Sequence, residues 1–188
     1  MHNKIPSHTI ETERLLLKSL GPDEMKQIYT TLSDEEIMRF MGYTEAELVA
    51  ERNKYNGGLT MHNRTYCNFL LIDKFSGLVL GRCGFHNWLP MHSRAEIGYH
   101  MLSDENKGRG YMKEAFSPII AFGFREMALN RIEAFIGRDN EASQRLVKGV
   151  GFTQEGILRE HYCKDGVIED SLCFGLLKRE WSARIINA

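Results

Sequence analysis

Apolar residues recur along this chain in two periods, and the changes from one to the other mark its elements. A leucine-rich run, Arg14 to Leu20, reads as a strand stopped by Gly21-Pro22. Asp23 to Leu32 and Asp34 to Met41 read as short helices, with Ser33 as an N-cap between them. Thr44 opens another helix with Glu47 completing a capping box, and Gly57-Gly58 ends it. Tyr66 to Asp73 and Leu78 to Phe85 are strands of a hairpin turned around Ser76-Gly77, and Arg94 to Leu102 is a further strand. Arg109 to Leu129 is a long helix that gathers Met112, Phe116, Ile119, Ile120 and Gly123 on one face, although Pro118 removes one backbone bond inside it. Arg131 to Gly137 is a strand and Asn140 to Gly149 a helix. Phe152 to Cys163 and Val167 to Leu177 are strands joined by Lys164-Asp165-Gly166. Hairpins come first, a strand-helix-strand crossover follows, and a hairpin closes. That order predicts an α/β fold with a strongly twisted, mixed but mostly antiparallel sheet of about seven strands and helices on both faces.

Composition narrows the function classes. The 188 residues suit a single domain, 1–188, and 43% hydrophobic with 26% charged residues allows an ordinary core. The net charge is -1 and the basic residues are scattered, which argues against a nucleic-acid partner. Met1 to Ser7 carries no apolar run, and the longest apolar stretch, Pro118 to Phe124, is too short for a membrane span. Cys67, Cys83, Cys163 and Cys173 form no C-x-x-C pair, so free thiols in a cytoplasmic protein are expected. The sequon Asn63-Arg64-Thr65 has no meaning without secretion. The histidines show no ligand spacing, and no metal site is expected.

Asn106-Lys107-Gly108-Arg109-Gly110-Tyr111-Met112-Lys113 follows a strand and opens the long helix. Two glycines one residue apart permit torsions that turn backbone N–H groups into a concave nest, and the helix N-terminus behind them adds positive potential. Such a nest suits a pyrophosphate, with Lys107, Arg109 and Lys113 as added charge. Lys113 replaces the third glycine of a dinucleotide fingerprint, and no P-loop sequence is present. A purely structural turn before a helix is the alternative.

Lys107 to Ala115 resembles the acetyl-CoA loop of the GNAT acetyltransferase superfamily. Arg94 to Met101 is similar to that family's strand before the loop, and Asn140 to Lys148 with Gly151-Phe152 and Glu155-Gly156 resembles its next motif. Glu11 to Leu17, and Tyr162 to Trp181 with Asp170, look like the opening and tail of the branch that acetylates ribosomal-protein N-termini. In the loop pattern, Lys107 stands at a Gln/Arg place and Met112 at a Gly/Ala place; the backbone donors remain. The resemblance implies acetyl-CoA as co-substrate, held by Met101, Leu102, Lys107, Gly108, Arg109, Gly110, Tyr111, Met112, Asn140 and Ser143. It implies an amine acceptor, either a peptide N-terminus or a small molecule, with no metal and a monomer or homodimer.

Acetyl transfer needs a neutral amine, a stabilised oxyanion and a protonated leaving thiolate. By resemblance Glu96 is the general base; the alternative is a structural glutamate paired with Arg94 or Arg131. Ser143 stands for the thiolate's proton donor or a coenzyme A contact, or is an exposed serine in a first helical turn. The tyrosine acid of many relatives is Val147 here. Asn140 resembles the residue that contacts the pantetheine arm, and it also fits a plain N-cap. The branch's glutamate on the strand after Glu155-Gly156 is Tyr162, with Glu160 on the same side by alternation. His86, Trp88 and His92 line the acceptor pocket, or Trp88 is a hydrophobic anchor. Two rival functions remain: a catalytically silent acyl-CoA-binding module, and an interaction domain whose glycine turn is only structural.

Overall fold

In the computed structural model, which describes residues 8–56, 66–164 and 166–186, the alternating leucines of the first predicted strand are buried, Leu15 and Leu17 completely. The chain divides into two units, one of residues 1–87 with 98–119 and one of residues 88–97 with 120–188. The segments Met1–Ser7, Gly57-Gly58, Asn63–Thr65 and Asp165 lie outside the described residues.

In the first unit, β1 (Thr9–Glu11), β2 (Leu15–Leu20), β3 (Cys67–Asp73) and β4 (Val79–Leu89) pair antiparallel in chain order, with Leu17 opposite Leu71 and Phe69 opposite Cys83. Three helices follow β2: α1 (Pro22–Thr31), α2 (Asp34–Met41) and α3 (Glu45–Asn56). They close over Leu20 and Leu70 with Tyr29, Ile37, Met41 and Leu48. α2 and α3 start where their capping residues put them. Ser33 Oγ accepts from the Glu36 amide at 3.3 Å while Glu36 accepts from the Ser33 amide at 2.8 Å, and Thr44 with Glu47 repeats the arrangement. Gly42 ends α2 at φ 69°, where an added Cβ would stand 2.7 Å from Leu102 Cδ1.

β5 (Arg94–Met101) and α4 (Tyr111–Arg125) each run from one unit into the other. Phe116, Ile119, Ile120 and Gly123 are buried along α4, as the helical period requires, and the helix continues through Pro118. It is shorter than its pattern at both ends. Gly110 stays outside and accepts from the Glu114 amide, and at the far end the amides of Glu126 and Met127 both turn back to Phe122.

In the second unit, β5 pairs parallel with β6 (Arg131–Gly137), the geometry a helical crossover allows. β8 (Val167–Leu177) lies antiparallel to β6, and β7 (Thr153–Lys164) antiparallel to β8. Ile132, Ala134 and Ile136 alternate inward on β6. α5 (Glu141–Val150) ends at Gly151, φ 108°, where Arg184 of α6 (Lys178–Ile186) crosses within 2.8 Å of the place a Cβ would take. Trp181 of α6 packs on Phe124 with ring centroids 5.1 Å apart.

The mixed, mostly antiparallel sheet has the order β1-β2-β3-β4-β5-β6-β8-β7. Among the described residues its strands number eight, the addition to the seven read being β1, which is only three residues long and gives no alternation to read. β4 runs on past Phe85 to Leu89 by taking Asn87 through φ 47°, a conformation asparagine tolerates. The four cysteines are free thiols. Among the described residues no helix is long and apolar enough to cross a membrane.

Candidate functional site

The glycine turn is formed in the first unit. After β5, Ser103 caps a short 3-10 turn, Asp104–Asn106, and the Lys107 amide bonds back to the Asp104 carbonyl at 3.0 Å. Gly108 (φ 72°) and Gly110 (φ 82°) are both left-handed, and no atom lies within 4 Å of an added Cβ at Gly108. Two left-handed glycines flank Arg109 directly before the N-terminus of α4, torsions that a backbone nest for an anion would use. The first amides of a helix such as α4 have no partner within the helix. Arg109 is exposed and Tyr111 and Met112 are half-buried. Lys107, directly before Gly108, is exposed, and its ammonium pairs with Asp104 at 2.5 Å, a bond that holds the Asp104 carboxyl below the ordinary range.

The sequence reading missed the residues that anchor this turn. Glu114, in the first turn of α4, accepts through Oε1 from Thr12 Oγ1 (2.6 Å) and the Arg14 amide (2.7 Å), and through Oε2 from Arg14 Nε (2.6 Å). Arg14 Nη1 donates to the Arg109 carbonyl at 3.1 Å, and its guanidinium lies 4.4 Å over the Tyr111 ring. Burial pushes the Glu114 carboxyl up, but the bonds from Thr12 and Arg14 outweigh it and hold the group below the usual range. Thr12 and Arg14 were visible only as part of the opening motif.

The second unit carries the other candidates. Glu96 lies half-buried between the buried Ala95 and Ile97, and its Cα partner on β6 is Glu133. Arg94 and Arg131, weighed as its structural partners, carry ion pairs to Glu133 at 2.7 and 2.8 Å, and Arg131 adds a second pair to Glu155 at 2.5 Å. The bond to Arg131 keeps the Glu155 carboxyl low. Asn140 is the N-cap of α5, its Oδ1 accepting from the Ser143 amide at 3.1 Å. The two residues are thereby brought together at one helix start, with Ser143 half-buried.

The loop candidates differ in exposure. Trp88 is 7% exposed, which favours the anchor over the pocket wall, whereas His92 is exposed in the short turn Pro90–His92. In the first unit the ring of His86 sits where a side chain on Gly98 would be, 2.8 Å from the added Cβ. Glu160 requires a correction. β7 takes four residue steps from Leu158 to Tyr162 where β8 takes two, from Ser171 to Glu169, so period-2 alternation does not carry across this segment. Glu160 is left-handed (φ 51°) and its amide donates to Asp170 Oδ1 at 2.9 Å.

Comparison with known proteins places these features in a family. The family model described as an acetyltransferase (GNAT) domain matches residues 14–153. An uncharacterized N-acetyltransferase of Bacillus licheniformis is 32% identical over 177 residues, covering 93% of this chain and 98% of that one. A Bacillus subtilis protein named as a ribosomal N-acetyltransferase is 33% identical over 107 residues, 57% of this chain and 58% of that one. Among solved structures, a spermidine/spermine N-acetyltransferase from Vibrio cholerae (mutant forms) superposes with TM-score 0.69 at 18% identity, covering 92% of this chain and 98% of that one; this likeness shows the fold. A GNAT-family acetyltransferase from Bacillus anthracis matches with TM-score 0.64 at 25% identity, covering 92% and 100%.

Proposed function

Since this chain belongs to the GNAT acetyltransferase family, we propose that it moves the acetyl group of acetyl-CoA to a primary amine by direct attack within a ternary complex. The observation that carries the cofactor reading is the pair of left-handed glycines, Gly108 and Gly110, between β5 and the N-terminus of α4. Such a nest offers converging N–H donors to a pyrophosphate without any side chain having to move. Met101 and Leu102 at the end of β5, with Asn140 and Ser143 at the start of α5, are the expected contacts of the pantetheine arm.

In this reaction the amine nitrogen adds to the thioester carbonyl, and the tetrahedral adduct then collapses with loss of the thiolate. Glu96 takes the proton the ammonium must shed, directly or through water. Ser143 gives a proton to the leaving sulfur or holds the arm. Both steps use protons already present, and no enzyme nucleophile is needed. The acceptor is a peptide N-terminus or a small-molecule amine, and the names of the relatives include both kinds.

A thiol-release screen with acetyl-CoA and amines of each kind tests the reading. Amine-dependent release of coenzyme A supports it. Binding of coenzyme A without release from any amine leaves the silent module. Absence of thermal stabilisation by coenzyme A overturns the cofactor reading, since a ligand that binds only the folded state must raise its stability. Gly110→Asp supplies the matching variant. A Cβ at Gly110 lies 3.4 Å from Arg14 Nη2, an ordinary contact, so the cost to the fold should be the left-handed penalty alone, about 1–2 kcal/mol, while the carboxylate opposes a phosphate in the nest. Calorimetry should find coenzyme A binding lost, and unchanged affinity would move the phosphate site elsewhere.

A further inference from the structure

The geometry points to Arg14 as a positioning residue for the cofactor, one that fixes the shape of the phosphate loop from 95 residues upstream. This inference rests on the reading of Gly108–Tyr111 as the pyrophosphate nest.

Arg14 makes three contacts with the loop and the first turn of α4, and each has a consequence for an anion bound there. The bond from Nη1 to the Arg109 carbonyl holds that oxygen to one side, between the two left-handed glycines. A carbonyl turned the other way would direct its negative end at a phosphate. The bond from Nε to Glu114 neutralises a carboxylate that stands one turn into α4. Left unpaired so close to the helix start, Glu114 would repel the pyrophosphate that the helix dipole attracts. The third contact, with Tyr111, lays the guanidinium flat against the first residue of α4 and fixes the direction from which it approaches.

The end of the guanidinium lies beside Gly110, where Nη2 is 3.4 Å from the place of a Cβ. Gly110 is therefore constrained by its positive φ, with the arginine in ordinary contact beside it. Thr12 completes the device by taking the same Glu114 oxygen as the Arg14 amide, so the carboxylate is gripped from the backbone and side chains of one short segment. A lysine cannot reproduce the arrangement. Its ammonium is a point donor, whereas Arg14 uses different nitrogens for the carboxylate and the carbonyl and a planar face for the ring.

The rival account is a staple that holds β2 to α4 and has no bearing on the ligand. The two differ over which ligand suffers. Affinities for coenzyme A and for pantetheine, which lacks the pyrophosphate, should be measured for the wild type, Arg14→Met and Arg14→Lys, with melting temperatures on the same preparations. Loss of a charge-assisted bond at the nest should weaken coenzyme A about 10- to 100-fold in Arg14→Met and leave pantetheine unchanged. Arg14→Lys should recover only a minor part of that loss. Equal weakening of both ligands, or of neither, overturns the inference, and so does full recovery by lysine. If Arg14→Met does not fold, Arg14→Lys decides by the same ratio of the two affinities. A wild type that binds no coenzyme A overturns the nest reading and takes the role of Arg14 with it. A wild type that binds normally beside an equally competent Arg14→Met overturns the role of Arg14 alone.

Discussion

Glu96 stands on β5 between two buried aliphatic residues, while Arg94 and Arg131 are engaged by Glu133 and Glu155. In the proposed reaction it is the base, so Glu96→Gln keeps the shape and removes the proton acceptor. Turnover at neutral pH should fall by about 10²–10⁴, with coenzyme A affinity unchanged and the acid limb of the pH–rate profile flattened. A melting temperature that drops with little change in that profile would make Glu96 structural instead. The local conformations read from sequence, the glycine torsions and the N-cap, depend on residues within a few positions of themselves. Gly108 and Gly110 need only their own torsions, and Asn140 caps the amide three residues on. Glu114 escaped because its partners, Thr12 and Arg14, are about a hundred residues away and nothing local marks them. The ion pair of Lys107 with Asp104, three residues before it, was likewise not read.

Among the elements, the starts of α2 and α3 were legible because each capping box lies within one turn, and the β7 irregularities were not. Counting every second residue assumes that each step on one strand meets one on the next. β7 breaks this between Gln154 and Gly156 and again between Leu158 and Tyr162, which is where Glu155 and Glu160 fall. α6 was hidden because it follows β8 without a break, its first amide taken by the distant Asn130 carbonyl. The corner between α2 and α3 allows a test of close packing separate from torsion. Gly42 and Gly77 have nearly the same positive φ, 69° and 71°, but an added Cβ at Gly77 meets nothing within 4 Å whereas at Gly42 it meets Leu102 at 2.7 Å. Gly77→Ala should therefore cost only the left-handed penalty, about 1–2 kcal/mol. Gly42→Ala should cost that and the displacement of Leu102, an expected cofactor contact. Thermal melts should rank Gly42→Ala below Gly77→Ala, and equal melting temperatures would show that Leu102 moves aside freely.

Across the whole molecule, the order of hairpins and crossover was enough to read a mixed sheet, because a parallel pair needs the long connection that α4 supplies. The balance of charge has a consequence for stability that the count of residues alone does not give. Glu36 is held low by the amide and hydroxyl of Ser33, Glu47 by those of Thr44, and Asp73 by Ser76. Asp104 is held low by Lys107 and Glu155 by Arg131, and in Glu114 the bonds from Thr12 and Arg14 outweigh burial. A carboxyl whose folded pKa lies below its unfolded value binds more protons unfolded, so its contribution is full above the unfolded value, about 4. That contribution is lost as pH falls through the folded value. His100 acts in the same direction at higher pH. Burial, then the charge of Arg82, lowers its pKa, so the folded state resists a proton that the unfolded chain accepts below about 6.5. Its ring is partly exposed, which keeps that step small. Acidification also takes a chain of net charge -1 toward a large positive charge, and self-repulsion adds to the loss. Urea unfolding should therefore give a midpoint that declines slightly from pH 7.5 to 5.5 and steeply below about 4. His100→Gln should remove the first decline and keep the second. A wild-type midpoint constant down to pH 3.5 would mean that these carboxylates gain nothing from their partners in the folded chain.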